Sequence, residues 1–362
     1  MLALLQRAVQ YVVSADGRSL AWMDRFTAVW VEDGSSVSLP EALARLWQGC
    51  GGSRQKEGKA NKTASSLKIT LWIDLKGGGW QGPHLQDGRR HESSSVLSHE
   101  PMARGSLWLA DLGYWSLVRM KTLMQQGVYF CLRLKLGTVL WHEKQRTDAP
   151  GLLAALPEGT QQAEWQVNVG EQQRVKGGHL LAQRVPEEVA EQRQQRLRED
   201  ARKHSKAVKP QALELAHWSL LLSNLPESMA SLEQAFALYK ARWQIERVFK
   251  LWKQEALLDE WTSTHPWRIL CEVYAKVIAM VVQHWMLLLA CQDDPDASAM
   301  DVAEILRAEV STLAQGFGKH LTLGKAIRLV VESVRGGCSI EARSTRLSTS
   351  RLIQSAFDLP LT

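Results

Sequence analysis

The sequence predicts an α/β protein whose core is split by a β-rich insertion and followed by a helical C-terminal region. Three observations predict it. Apolar, β-prone runs recur up to about residue 141, with short helical segments among them. A second set of β-prone runs lies between 165 and 225. From Ser231 onward the periodicity is almost wholly helical. Strands, a helix, a β-rich insert and then helices suit one interrupted core better than separate beads.

The elements follow in chain order. Residues 1–15 read as a short helix. In FTAVWVEDGSSVSLP (26–40), Thr27 to Val31 is apolar and β-rich, while Asp33-Gly34-Ser35-Ser36 is turn chemistry, so the strand should end there. Residues 41–48 show helical periodicity, and 49–66 form a polar, glycine-rich loop. LKITLWIDL (67–75) alternates as a strand, and the turn Gly77-Gly78-Gly79 leads to another near Trp80–Leu85, which makes a hairpin. Leu107 to Ala110 reads as a buried strand with Asp111 at its carboxyl end, followed by a helix from about Trp115 to Gln125. Segments 127–141, 165–170 and 217–225 are β-rich.

Between the last two, 186–209 is charged and helix-prone. Its Arg193, Arg196, Arg198, Arg202, Lys203, Lys206 and Lys209 alternate with acids, which reads as a solvated helix face. The boundaries this order suggests are a first core part at 1–125, an insertion at 126–226, a second core part at 227–295 and a helical region at 296–362.

Composition limits the classes. A chain of 362 residues is long for one ordinary domain. With 45% hydrophobic and 23% charged residues it buries a core and is not wholly disordered. The net charge of +6 suits a polyanionic partner such as nucleic acid, and equally a basic protein without one. Most of the fifteen tryptophans must pack, leaving a few that could stack on bases. Five scattered cysteines without metal-ligand spacing point to a reducing cytoplasm.

The first residues lack a basic n-region and a cleavage site, so no signal peptide is expected. The longest uncharged run, Val277 to Gln292, is shorter than the roughly 18 residues of a membrane span and reads as a core helix, with no membrane partner. His217 and His284 read as partly buried polar residues rather than ligands. Asp24, Glu32 and Glu255 read as surface charges.

The strongest chemical signal is YKARWQIERVFKLWK (239–253). Taken as one helix, it places Tyr239, Arg242, Glu246, Lys250 and Lys253 within an arc of about 80°. Ile245, Val248, Phe249 and Trp252 lie away from that arc and can face a core. An amphipathic surface helix with i, i+4 ion pairs would look the same. The arrangement also suits phosphate handling, since a carboxylate can hold a divalent metal while Arg, Lys and Tyr donate to a DNA backbone.

This helix resembles the Y-x(2)-R-x(3)-E-x(6)-K signature of bacterial insertion-sequence transposases of the DDE class, in the group numbered four. Tyr239, Arg242, Glu246 and Lys253 match it position by position. VWVEDGSSVSLPEAL (29–43) resembles the family's first-aspartate segment, and ADLGYWSL (110–117) its second. The likeness runs from about residue 20 to about 290. Asp74 competes as first aspartate, but the flanking Gly-Ser and Leu-Pro favour Asp33.

The resemblance implies an RNase H-like core, a mixed sheet flanked by helices, with the insertion between the second aspartate and the glutamate. It implies catalysis by Asp33, Asp111 and Glu246 on two Mg²⁺ ions, with Mn²⁺ able to substitute. The reaction is cleavage of an element's ends and strand transfer to target DNA, by a homodimer on DNA in the cytoplasm, at the nucleoid. Tyr239, Arg242 and Lys253 would contact the DNA. Trp218 would stack on a flipped base and Trp243 would lie near the DNA end, although packing accounts for either tryptophan as well. Family members carry a helical DNA-binding region ahead of the first aspartate, and only 32 residues precede Asp33 here. A non-catalytic remnant that binds DNA or a full-length transposase is the alternative, and another RNase H-like nuclease a third.

Overall fold

The structure, a computed structural model, describes residues 21–50, 64–171, 175–255, 257–258, 260–263, 265–291, 299–318 and 321–337. The helix expected over 1–15 and most of the 49–66 loop lie outside the described residues.

In chain order the strands and helices are β1 (Val29–Leu39), β2 (Ser65–Asp74), β3 (Trp80–Asp87), β4 (Leu107–Ala110), α1 (Leu117–Gln125), β5 (Tyr129–Arg133), β6 (Leu140–His142) and β7 (Gln145–Thr147). They continue with α2 (Ala149–Ala154), β8 (Gln162–Val169), β9 (Val175–Arg184), α3 (Glu187–Lys203), α4 (Pro210–Leu215) and β10 (Trp218–Ser223). The last helices are α5 (Leu232–Ala241), α6 (Trp243–Glu255), α7 (Pro266–Cys291), α8 (Ala299–Ala308), α9 (Val310–Gly316) and α10 (Leu323–Gly337).

The chain divides into two compact units, one of residues 1–101 and 240–360, the other chiefly of 102–239. In the first unit β1, β2 and β3 form an antiparallel meander. The expected turn at Asp33–Ser36 is absent: β1 runs through it, and Asp33 pairs with Leu71, Gly34 with Thr70 and Ser35 with Ile69. A long β2 runs alongside the whole of that stretch and takes up the backbone groups that face it, and this pairing overrides a local turn preference. The true turn is at the glycines, where Gly78 has φ +68° and the Asp74 carboxylate accepts the N–H groups of Lys76 and Gly77. The helix expected over 41–48 is only a 3-10 turn at Glu41–Leu43, led in by Pro40.

Period-two alternation gives β1 two unlike faces. Val29, Val31, Ile69, Leu71 and Ile73 are buried on one. Glu32 points the other way and is fully buried, accepting the Ser98 hydroxyl at 2.8 Å. The reading of Glu32 as a surface charge is therefore corrected: the 3-10 turn Val96–His99 covers it. Asp24 does lie outside, paired with Lys76.

The helices of this unit bury apolar stripes. On α6, Ile245, Phe249 and Trp252 are buried at i, i+4 and i+7. Trp252 packs on Trp80 of β3 at 5.4 Å between ring centroids, and Trp80 packs in turn on His284 of α7 at 4.2 Å. By length and composition α7 could cross a membrane; within this unit its Ile269, Val273, Val277 and Val281 are buried.

In the second unit β4 and β5 are parallel, joined by α1, and antiparallel neighbours extend the sheet in the order β5-β10-β9-β8-β6-β7. The β-rich segment 127–141 resolves into two strands, β5 and β6. Strands, helices and a helical C-terminal region make this an α/β fold of the RNase H-like kind.

Candidate active site

Asp33 lies in the middle of β1, half-buried, on the face opposite Glu32. Its Oδ1 accepts the N–H of Gly34 at 2.8 Å. Glu246 lies in the first turn of α6. The two meet through Arg242, whose Nη1 stands 2.7 Å from Glu246 Oε1 and 3.6 Å from Asp33 Oδ2. The guanidinium side chain is 8% exposed, the Asp33 side chain 14% and Glu246 40%. A low-dielectric flank on one side and solvent on the other strengthen such pairing without fully desolvating it.

The one-helix reading of 239–253 needs correction. The helix breaks at Arg242, so that Tyr239 lies in the last turn of α5 while Glu246 and Lys253 belong to α6. Ile245 N–H still reaches the Arg242 carbonyl at 3.2 Å, and Arg242 keeps its i, i+4 pair with Glu246. From this junction the guanidinium also reaches Asp33, a contact that helical spacing alone does not reveal. Tyr239 and Lys253 are half-buried, and Lys250 is exposed.

Asp111 belongs to the second unit. It follows β4 and sits at the N-cap position of the 3-10 turn Leu112–Tyr114, yet its side chain makes no capping hydrogen bond. Its carboxylate is therefore not consumed by the turn it begins.

Asp74 has a different occupation. It accepts the N–H groups of Val29 at 2.9 Å, Lys76 at 3.0 Å and Gly77 at 3.1 Å. A Cβ on Gly77 would stand 2.8 Å from its Oδ2, so a glycine is needed for that approach. A carboxylate committed to three backbone donors is a turn anchor.

The tryptophans differ as well. Trp243 is 59% exposed at the start of α6. Trp218 is buried at the start of β10, with the Arg184 guanidinium 5.7 Å from its ring centroid. Trp218 and Arg184 line a cavity of about 570 Å³ in the second unit, together with Asp148 and Glu214.

Could these residues hold a metal? Asp33 and Glu246 already converge on one cation and offer only oxygen, the donor that hard divalent ions prefer. One or two carboxylates, with waters completing the shell, suffice for magnesium. Among the described residues, no group of three or more His, Cys, Asp and Glu side chains is gathered closely enough to share an ion. The two carboxylates offer the donor type that such an ion prefers, on either side of a guanidinium that marks where positive charge is held.

Known proteins give this geometry a context. Residues 25–282 match the family described as Transposase DDE domain. The chain is 24% identical over 278 residues to the transposase for insertion sequence element IS231B of Bacillus thuringiensis subsp. berliner, covering 72% of this chain and 56% of that protein. It is 25% identical over 276 residues to the transposase for IS231F of Bacillus thuringiensis subsp. israelensis, covering 71% and 56%. It is 22% identical over 275 residues to the transposase for IS1151 of Clostridium perfringens, again covering 71% and 56%. The matched region thus spans little more than half the length of these curated relatives. Because the family match covers well over half of the present sequence, from the residues before β1 into α7, this chain belongs to the Transposase DDE domain family.

Proposed function

We propose that the chain is a DNA transposase of an insertion sequence, of the group numbered four, which cleaves the element's ends and joins them to target DNA with Mg²⁺ or Mn²⁺. One observation carries this reading: Asp33 of β1 and Glu246 of α6, more than two hundred positions apart, share a single cation. Two divalent ions, when bound, supply charge stabilisation to the entering and leaving oxygens of an in-line displacement on a phosphodiester.

The residues would act as follows. Asp33 and Glu246 hold metal through their carboxylate oxygens. Asp111 is assigned to the same chemistry on its sequence pattern alone. Its carboxylate, which caps nothing in its own turn, is available for that role. Arg242, Tyr239 and Lys253 donate to phosphate oxygens and hold the DNA backbone in register. Exposed Trp243 offers an aromatic face near a DNA end. Trp218, with Arg184 beside it and a cavity before it, suits a base taken out of the stack. The segments 1–125 and 227–295 are proposed as the catalytic core around an insertion at 126–226, with 296–362 appended. Joining two ends calls for a homodimer on DNA, working at the nucleoid of the cytoplasm.

The test is cleavage of DNA carrying the element's terminal repeats by purified protein with Mg²⁺ or Mn²⁺. Asp33→Ala, Asp111→Ala and Glu246→Ala should each remove both nicked and joined products while leaving the fold intact by circular dichroism. If all three variants cut as well as the parent, the assignment is wrong. Binding of the DNA without cleavage by the parent would support the non-catalytic reading instead.

A further inference from the structure

The two carboxylates that the proposed reaction needs are held by a positive charge of the chain's own. Arg242 Nη1 lies within ion-pair distance of both Glu246 Oε1 and Asp33 Oδ2, and its side chain is almost wholly buried. A divalent ion at this pair would need the same oxygens and would carry the same sign of charge. Guanidinium and metal therefore compete for one place.

We infer that Arg242 is a placeholder cation, gathering and partly neutralising Asp33 and Glu246 while no metal is bound and leaving them when a divalent ion enters. The inference rests on the proposed metal role of this pair. Three features support it. First, one guanidinium can balance only one of these two carboxylate charges, whereas a divalent ion balances both and so attracts the pair more strongly. Second, Arg242 sits at the break between α5 and α6, outside both helices. The ladders of the two helices are backbone hydrogen bonds and do not fix the direction of this side chain, which is set by the carboxylates it pairs with. Third, Asp33 is fixed by a ten-pair β-ladder and Glu246 by a helix whose Ile245, Phe249 and Trp252 are buried. The carboxylates therefore stay in position while the cation between them changes.

The consequence is an order of events. Metal entry frees a guanidinium, which suits bidentate pairing with a phosphate. Metal and DNA backbone would then bind with positive coupling, and the coupling is reciprocal. A chain without metal would keep its phosphate-seeking arginine occupied.

The experiment is a Mn²⁺ titration of the full chain, followed by the electron paramagnetic resonance of free Mn²⁺, on the parent, Arg242→Gln and Arg242→Lys. Asp33→Asn and Glu246→Gln serve as controls for the site. Thermal melting is recorded with and without Mn²⁺. With the competitor removed, Arg242→Gln should bind Mn²⁺ roughly tenfold more tightly or better, within the usual range of coupling between two ligands. Its melting temperature should fall below the parent's without metal, and saturating Mn²⁺ should close that gap. Arg242→Lys, which keeps the charge but loses the planar fork, should bind Mn²⁺ with intermediate affinity.

Parent-like or weaker Mn²⁺ binding by Arg242→Gln, at a site that Asp33→Asn and Glu246→Gln remove, would overturn the placeholder alone. Should Arg242→Gln not fold, the lysine variant decides: tighter binding than the parent supports the inference, and unchanged binding overturns it. If the parent binds no Mn²⁺ that the two control substitutions remove, the metal reading of this pair fails and takes the placeholder with it.

Discussion

Asp74 accepts the N–H of Val29 at 2.9 Å, tying the end of β2 to the start of the strand that carries Asp33. The same carboxylate accepts Lys76 and Gly77 and so shapes the turn into β3. Asp74→Ala would leave three backbone donors without it. Charge-assisted hydrogen bonds contribute roughly 1.5–3 kcal/mol each and do not add fully, so we expect a loss of about 2–4 kcal/mol in urea unfolding. Asp33→Ala should cost less stability and remove Mn²⁺ binding. The reverse pattern would show that the two aspartates had been assigned the wrong way round.

Arg193 differs from the other cations of α3. Its Nη1 donates to the carbonyls of Trp218 at 3.0 Å and Ala216 at 3.4 Å, and its Nη2 to the Ser219 hydroxyl at 3.1 Å. It therefore pins α3 to the start of β10, and burial lowers its pKa, with Arg133 nearby acting in the same direction. Arg193→Ala should cost roughly 1.5–3 kcal/mol by leaving buried acceptors unpaired. Arg202→Ala, in the exposed last turn, should stay within about 0.5 kcal/mol. Equal losses in the two chemical denaturation curves would refute the distinction.

These two cases show what the sequence made legible. Residues 107–110 were readable as a strand because four apolar residues in a row end at a charge, and β4 has those same bounds. The stripe Ile245, Phe249 and Trp252 was readable because helical periodicity is local. The course of β1 through Asp33-Gly34-Ser35-Ser36 was not, because its partners lie more than thirty residues away in β2. β9, with Gly177 and Gly178 near its start, gave no clear strand pattern and exists through its pairing with β8 and β10. At the site, the Arg242–Glu246 pair was visible as an i, i+4 spacing. Its contact with Asp33 was hidden, since it joins residues more than two hundred positions apart and depends on tertiary packing.

His179 of β9 faces Glu164 of β8 at 2.6 Å, and that hydrogen bond raises the His179 pKa; burial opposes the rise, and the charges of Glu164 and Glu227 add to it. A pKa higher in the folded chain means the pair contributes fully below the unfolded value near 6.5 and is lost as pH rises through the folded value. The two side chains are 21% and 38% exposed, so solvent screening limits the effect to a few tenths of a kcal/mol, at most about 1. Glu164→Gln should therefore destabilise the chain at pH 5.5 and leave it parent-like at pH 8.5, by denaturant midpoint. A larger loss at the higher pH would contradict the ion pair.

His284 works in the opposite sense. It packs on Trp80 in the interior of the first unit, and burial lowers its pKa to about 4, while a hydrogen bond to the Gly78 backbone pulls the other way. The folded chain keeps this imidazole neutral over a range where the unfolded chain binds a proton. Stability should accordingly fall as pH drops from about 6.5 toward about 4, and level off below that as far as this residue is concerned. A shift of this size corresponds to no more than about 3–4 kcal/mol. His284→Phe keeps an aromatic ring against Trp80 and removes the proton site. It should flatten the pH dependence of the unfolding free energy between pH 6.5 and 4, whatever its effect at neutral pH. A slope as steep as the parent's would mean that another group governs acid stability.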